Sequence, residues 1–190
     1  MSAHRRASGL PEPFLNPVEL LDFARFIADE VLACRYLVEY DEGRRWHRRL
    51  YRDQRVDLWL ISWLPSQGTQ LHDHGGSAGA FTVLSGVLTE AIYQPAAAAA
   101  GRWPEASGPG AGPPLVERHR PSGSGAGFGR HYVHDVRNLS REPAISVHAY
   151  SPPLTSMSFY DLDDAGALRT LVSMPTEHPE PVLSMGSPAA

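Results

Sequence analysis

The chain has 190 residues and a formal net charge of −4, with 42% hydrophobic and 20% charged residues. That length suits one domain or at most two small ones, and that composition excludes a wholly disordered chain. All 17 basic residues are Arg, which excludes a Lys Schiff base and a phosphate loop built on Lys; the acidic balance argues against a general nucleic-acid binder. A single Cys, Cys34, excludes an intrachain disulfide, a CxxC pair and a Cys-rich zinc site, and reads as a bland buried thiol.

Residues 1–15 read as a flexible arm: basic, but with no apolar segment behind it, so not a secretory signal. No stretch approaches the roughly 20 apolar residues of a membrane helix. The expectation is a soluble, cytoplasmic protein, monomeric or weakly homo-oligomeric, with no membrane or nucleic-acid partner. Asn16-Pro17 supplies an N-cap and a favoured first helical residue, and Leu20, Leu21, Phe23, Ala24, Ile27, Val31 and Leu32 form one apolar stripe, predicting a helix over 17–34.

Strands are expected over 46–52, 56–64, 69–74, 79–85 and 87–93, with turns at Pro65–Gly68 and Ser85-Gly86. Residues 95–114 are a low-complexity loop of Ala, Gly and Pro. Strands resume over 115–119, 128–133, 143–150, 155–161 and 167–173, and 175–190 reads as a disordered tail. The glycines of 123–129 do not fit GxGxxG and read as a flexible turn. One helix followed by many short strands predicts a single all-β domain over 16–174, a sandwich or barrel with an N-terminal helical cover.

The chemistry centres on histidine. On a strand, His72 and His74 point to the same face, roughly 6.5–7 Å apart, and can share a metal ion while Asp73 points away. A third ligand must come from another strand; His134, His131, His119 and His148 are candidates. Ser146, His148 and Tyr150 alternate along a further strand and so share one face, where three buried polar groups need partners.

These residues carry a resemblance. His72-x-His74-x4-Gly79-x6-Gly86 is similar to the first cupin motif, and His134-x3-Asn138 to the second, with Gly79 in the place of the usual Glu ligand. The segment Leu71-His-Asp-His-Gly75 and the stretch Ser146-Val-His148-Ala-Tyr150-Ser-Pro-Pro153 resemble those of the cysteine dioxygenases and related bacterial thiol dioxygenases, over about residues 44–173. The resemblance implies a cupin jelly-roll β-barrel and an Fe(II) cofactor on His72, His74 and His134. It also implies a hydrogen-bonded row of Ser146, His148 and Tyr150 beside the iron. Tyr150 is expected as a free phenol, since Gly79 stands where animal members carry a Cys cross-linked to the site Tyr.

The resemblance further implies an Arg on an early strand that holds the substrate carboxylate. The pattern Arg45-Trp46-x-x-Arg49-Leu50 favours Arg49, with Arg48 and Arg52 as rivals. The reaction implied adds both atoms of O2 to the sulfur of L-cysteine, giving the sulfinic acid. Its partners are then a small thiol and O2. The alternatives are a dioxygenase of another small thiol such as 3-mercaptopropionate, and a non-catalytic metal-binding cupin. Three His also suit zinc.

Overall fold

The computed structural model describes residues 14–33, 37–94 and 114–176. Cys34, most of the expected arm, residues 95–113 and the tail from 177 lie outside the described residues.

Helix α1 spans Pro17–Ala33. Its start is a reciprocal cap: Asn16 Oδ1 accepts from the Val18 and Glu19 amides at 2.9 and 3.1 Å, and Glu19 Oε2 accepts from the Asn16 amide at 2.8 Å. Leu15, placed in the arm by composition, instead packs against the core, and its amide donates to Ser151 Oγ at 2.8 Å.

Among the described residues the strands are β1 (Trp46–Arg52), β2 (Asp57–Trp63), β3 (Leu71–His72), β4 (Ala78–Ser85), β5 (Val87–Tyr93), β6 (Leu115–Pro121), β7 (Gly125–Phe128), β8 (His134–Arg137), β9 (Ala144–Ser151), β10 (Ser156–Leu162) and β11 (Leu168–Pro175). They form two antiparallel sheets, one in the order β1-β2-β9-β4-β7 and the other β11-β10-β3-β8-β5-β6. This is the all-β cupin jelly roll with one N-terminal helix.

Strand alternation divides the first sheet between two cores. Leu58, Leu60, Ala80, Val147 and Ala149 face α1 and meet its Leu20, Ala24, Ala28 and Val31. Trp63, Phe81, Val83 and Tyr150 face the other way and pack with Leu88, Phe128 and Val136. The helix thus seals one face, and the functional side chains gather on the other.

Four expectations need correction. The strand expected over 128–133 is β7, Gly125–Phe128, and 129–133 is the connection into β8. The glycine stretch is therefore partly strand, and sterics explain it. A Cβ on Gly125 would come 2.5 Å from the Phe81 carbonyl oxygen, and one on Gly127 would strike the Pro17 carbonyl at the start of α1. The strand expected over 69–74 shrinks to Leu71–His72, because Asp73 Oδ1 accepts from the Gly75 amide at 3.0 Å and Gly75 takes a positive φ of 57°. The last strand extends to Pro175, into what composition reads as tail.

Candidate metal centre

His72 lies in β3, His134 faces it across the ladder in β8, and His74 follows two residues after β3. All three are buried, and one ligand atom from each lies within 4.8 Å of the others. Two of the rings have fixed tautomers. His72 Nδ1 is 2.8 Å from the Gln70 carbonyl oxygen, which can only accept, so Nδ1 carries the proton and Nε2 is the free lone pair. His134 Nδ1 is 2.8 Å from Glu90 Oε1, with the same consequence. Both nitrogens of His74 are buried with no hydrogen-bond partner. A buried polar atom left unmet costs about 1–3 kcal/mol; a cation on the ring's lone pair answers it. Burial, followed by mutual repulsion with the neighbouring imidazoles, holds His72 and His74 well below the ordinary histidine pKa, so both stay neutral and able to bind metal. The residues present therefore fit a divalent metal held by imidazoles.

Asp73 points away from the three rings. Its carboxylate accepts from the Gly75 and Ser158 amides and from the Tyr160 hydroxyl at 2.6 Å, a structural role in turning the chain after β3. His119 and His131 are exposed, and both ring nitrogens of His148 are engaged elsewhere, which leaves His134 as the third ring. Asn138, the last residue of the second motif, is buried and donates to the Trp63 and Glu142 carbonyls.

Gly79 on β4 shows why no carboxylate joins the trio. A Cβ there would lie 2.6 Å from Phe128 Cζ and 3.0 Å from Tyr150 Cδ1. The Phe128 ring stacks on His74 at 4.8 Å and on Tyr132 at 4.8 Å. An aromatic ring occupies the volume that a side chain at position 79 would need.

Ser146, His148 and Tyr150 lie in a row on β9, on the inner face. Ser146 Oγ is 2.9 Å from His148 Nε2, and the Tyr150 hydroxyl is 3.3 Å from His148 Nδ1. A residue that sequence reasoning missed orients the row: Trp63 Nε1 lies 2.9 Å from Ser146 Oγ. Indole N–H can only donate, so Ser146 accepts from Trp63. The serine proton then goes to His148 Nε2, His148 carries its proton on Nδ1, and Nδ1–H donates to the tyrosine oxygen. This assignment answers the Trp63, Ser146 and His148 donors within the row, and it turns the Tyr150 proton outward from the row. Burial, then the charges of His134 and Arg45, lowers the His148 pKa to about 3, so the ring is neutral at physiological pH. Burial raises the Tyr150 phenol above its ordinary value against the opposing charge of Arg45, so it stays protonated.

A cavity lies over this centre, lined in part by His72, His134, His148 and Tyr150 and by the apolar Trp59, Leu154, Met157 and Phe159. Arg45 and His47 also line it. Arg45 lies one residue before β1, with its guanidinium carbon 4.7 Å from the Trp63 ring centroid. Burial lowers its pKa to about 10, still cationic at neutral pH.

Arg49 does not line this cavity. It shares the inner face of β1, but its Nε lies 3.1 Å from Asp57 Oδ1 and its guanidinium sits over the Trp59 ring at 4.3 Å. Arg52 holds the other oxygen of Asp57 at 3.1 Å. Arg48 pairs with Leu60, whose side chain faces α1, so it lies on the wrong side of the sheet.

Residues 26–163 match the family described as cysteine dioxygenase type I. The chain belongs to that family. Relatives include cysteine dioxygenase type 1 of Danio rerio, 26% identical over 150 residues, and of Homo sapiens, 24% identical over 149 residues. Each alignment covers 77% of this chain and 63% of the relative. This cysteine dioxygenase family member therefore spans less than two thirds of the length of those curated relatives. Among solved structures, TT1209 from Thermus thermophilus aligns with a TM-score of 0.49 at 20% identity, over 63% of this chain and 94% of that one. A Klebsiella pneumoniae protein with a double-stranded beta-helix domain aligns with a TM-score of 0.44 at 22% identity, over 74% and 92%.

Proposed function

We propose that this protein is a non-haem Fe(II) thiol dioxygenase that oxidises a small carboxylate-bearing thiol, L-cysteine first among them, to its sulfinic acid. The observation that carries the reading is the trio itself: three buried imidazoles with converging nitrogens and no carboxylate ligand, beneath a largely apolar cavity that an arginine enters. The balanced reaction is RSH + O2 → RSO2H.

His72, His74 and His134 would hold the iron, which when bound supplies redox chemistry between thiol and O2 and keeps the thiol deprotonated at neutral pH. Arg45 takes the place that the sequence motif assigns to Arg49. It meets the substrate carboxylate with a planar pair of N–H donors, fixing the thiol end toward the imidazoles. Trp59, Leu154, Met157 and Phe159 keep water from the carboxylate–guanidinium pair, which strengthens it. Tyr150, held by the Trp63–Ser146–His148 row, presents its proton toward the substrate side as a fixed donor for developing negative charge.

The test is O2 consumption by protein loaded anaerobically with Fe(II), comparing L-cysteine, 3-mercaptopropionate and cysteamine, with products identified by mass. Uptake with sulfinate formation from the carboxylate-bearing thiols, and little from cysteamine, is the expected result. Preference for 3-mercaptopropionate over cysteine would keep the reaction and replace the substrate. No uptake by iron-loaded protein with any of the three would overturn the enzymatic reading in favour of a metal-binding cupin.

A further inference from the structure

One buried acid is unused by the chemistry above. Glu90 lies in β5, fully buried, and its carboxylate is saturated with donors. Oε1 accepts from His134 Nδ1 at 2.8 Å and from the Tyr132 hydroxyl at 2.9 Å, and Oε2 accepts from Arg120 Nε and Nη2 at 2.9 and 2.6 Å. The Arg120 guanidinium donates two N–H groups to Oε2, the geometry of a paired, ionised carboxylate. The carboxylate stays ionised, hence purely an acceptor.

We infer that Glu90 is a positioning residue for the metal centre: it locks His134 in the Nδ1–H tautomer and aims its Nε2 lone pair at the ion. The inference rests on the reading of His72, His74 and His134 as a metal centre. Arg120 determines what kind of effect Glu90 has. The ion pair is close to neutral, so it delivers little net charge to the metal and cannot simply replace the carboxylate ligand missing at Gly79. Its effect is directional. Arg120 and Tyr132 fix the carboxylate, and the fixed carboxylate fixes the ring.

Glu90→Gln sets these neighbours in competition. An amide has one oxygen and one NH2, and Arg120 and His134 both want the oxygen. Arg120 can only donate, whereas a neutral imidazole can also accept. The amide oxygen therefore turns to Arg120, and its NH2 faces His134 Nδ1. The proton of His134 moves to Nε2, and the lone pair aimed at the metal is lost. Adding Arg120→Met removes the competing donor and lets the oxygen return to His134.

The experiment measures Zn(II) affinity by competition with a chelating dye for wild type, Glu90→Gln and Glu90→Gln/Arg120→Met. Nitrogen NMR reads the His134 tautomer in the metal-free proteins. Expected are the Nδ1–H tautomer in wild type, the Nε2–H tautomer with about ten- to hundredfold weaker Zn(II) binding in Glu90→Gln, and recovery of most of that loss in the double variant. A merely structural Glu90 predicts the opposite ranking, with the double variant worst. Zn(II) affinity in folded Glu90→Gln within about twofold of wild type would overturn the proposal. So would an Nε2–H tautomer in the wild type, a result that needs no variant to fold. Failure of wild-type protein to bind Zn(II), with the tautomer as expected, would instead count against the metal centre.

Discussion

Replacing Ser146 by Ala should cost far more stability than the loss of one hydroxyl suggests. Ser146 is the middle of a buried row and answers two neighbours at once. Its oxygen accepts from Trp63 Nε1 and its proton goes to His148 Nε2, both at 2.9 Å. Alanine leaves a buried indole donor and a buried imidazole acceptor unmet. Each such group costs about 1–3 kcal/mol, so the substitution should destabilise by about 2–6 kcal/mol. That is visible as a clear drop in urea midpoint for the metal-free protein. The decisive comparison is a double-mutant cycle with Trp63→Phe. With Trp63→Phe already in place no indole donor remains to be orphaned, and Ser146→Ala should cost only the imidazole part. The two substitutions should therefore be less than additive by about 1–3 kcal/mol. Additivity within about 0.5 kcal/mol would refute the Trp63–Ser146 hydrogen bond as the anchor of the row.

The arginines, the glycine of β4 and the buried imidazoles each lend themselves to a separate measurement. Arg45→Met should raise KM for a carboxylate thiol roughly 10- to 100-fold, the equivalent of one charge-assisted contact of about 1.5–3 kcal/mol, while Arg49→Met should lower stability through Asp57 and leave KM unchanged; steady-state O2 uptake and urea melts on both variants check this. Gly79→Ala should destabilise by about 1–3 kcal/mol through collision with the Phe128 ring, and Phe128→Leu in the same chain should recover part of it in thermal melts. Metal-free protein should lose stability as pH falls from about 6.5. His72, His74 and His148 are held neutral in the fold by burial and gain protons only on unfolding, so each contributes a slope of about 1.4 kcal/mol per pH unit. A melting temperature that is flat between about pH 7 and pH 5 would show that these rings titrate normally in the folded state.

Much of the site is legible because strand alternation and metal-ligand spacing leave marks in sequence. Ser146, His148 and Tyr150 are two apart and β9 puts them on one face; His72 and His74 are two apart as well, and the chain keeps them together although β3 ends at His72. The arginine proposed to meet the carboxylate is harder. Arg44, Arg45, Arg48, Arg49, Arg52 and Arg55 crowd one segment, and parity separates Arg48 from Arg49 but not Arg45 from Arg49. Depth along the strand separates those two, and Asp57, which engages Arg49, is brought beside it only by the pairing of β1 with β2. Glu90 carries no motif. Its signal was a lone acid beside the apolar Leu88, Ala91 and Ile92 of β5, which reads as an exposed position until Arg120 and Tyr132 are seen around it. The misplaced strand near 128–133 has a similar origin: Gly125 and Gly127 look like turn residues, but they are needed where β7 passes close to Phe81 and the start of α1.

The two sheets divide the work. The sheet built on β3, β8 and β5 carries the trio residues His72 and His134, with His74 just beyond β3, and Glu90 behind His134; the sheet built on β2, β9 and β4 carries the oriented row from Trp63 to Tyr150. Phe128, on β7 at the edge of that second sheet, reaches across to stack on His74, and it can do so only because position 79 has no side chain. The missing carboxylate ligand is therefore more than a deletion. Its volume has been reassigned to an aromatic ring that packs the metal-binding imidazoles from the side. A carboxylate returned to position 79 alone would meet that ring before it met a metal, so the all-imidazole donor set is fixed by packing at Phe128 as firmly as by the sequence at Gly79.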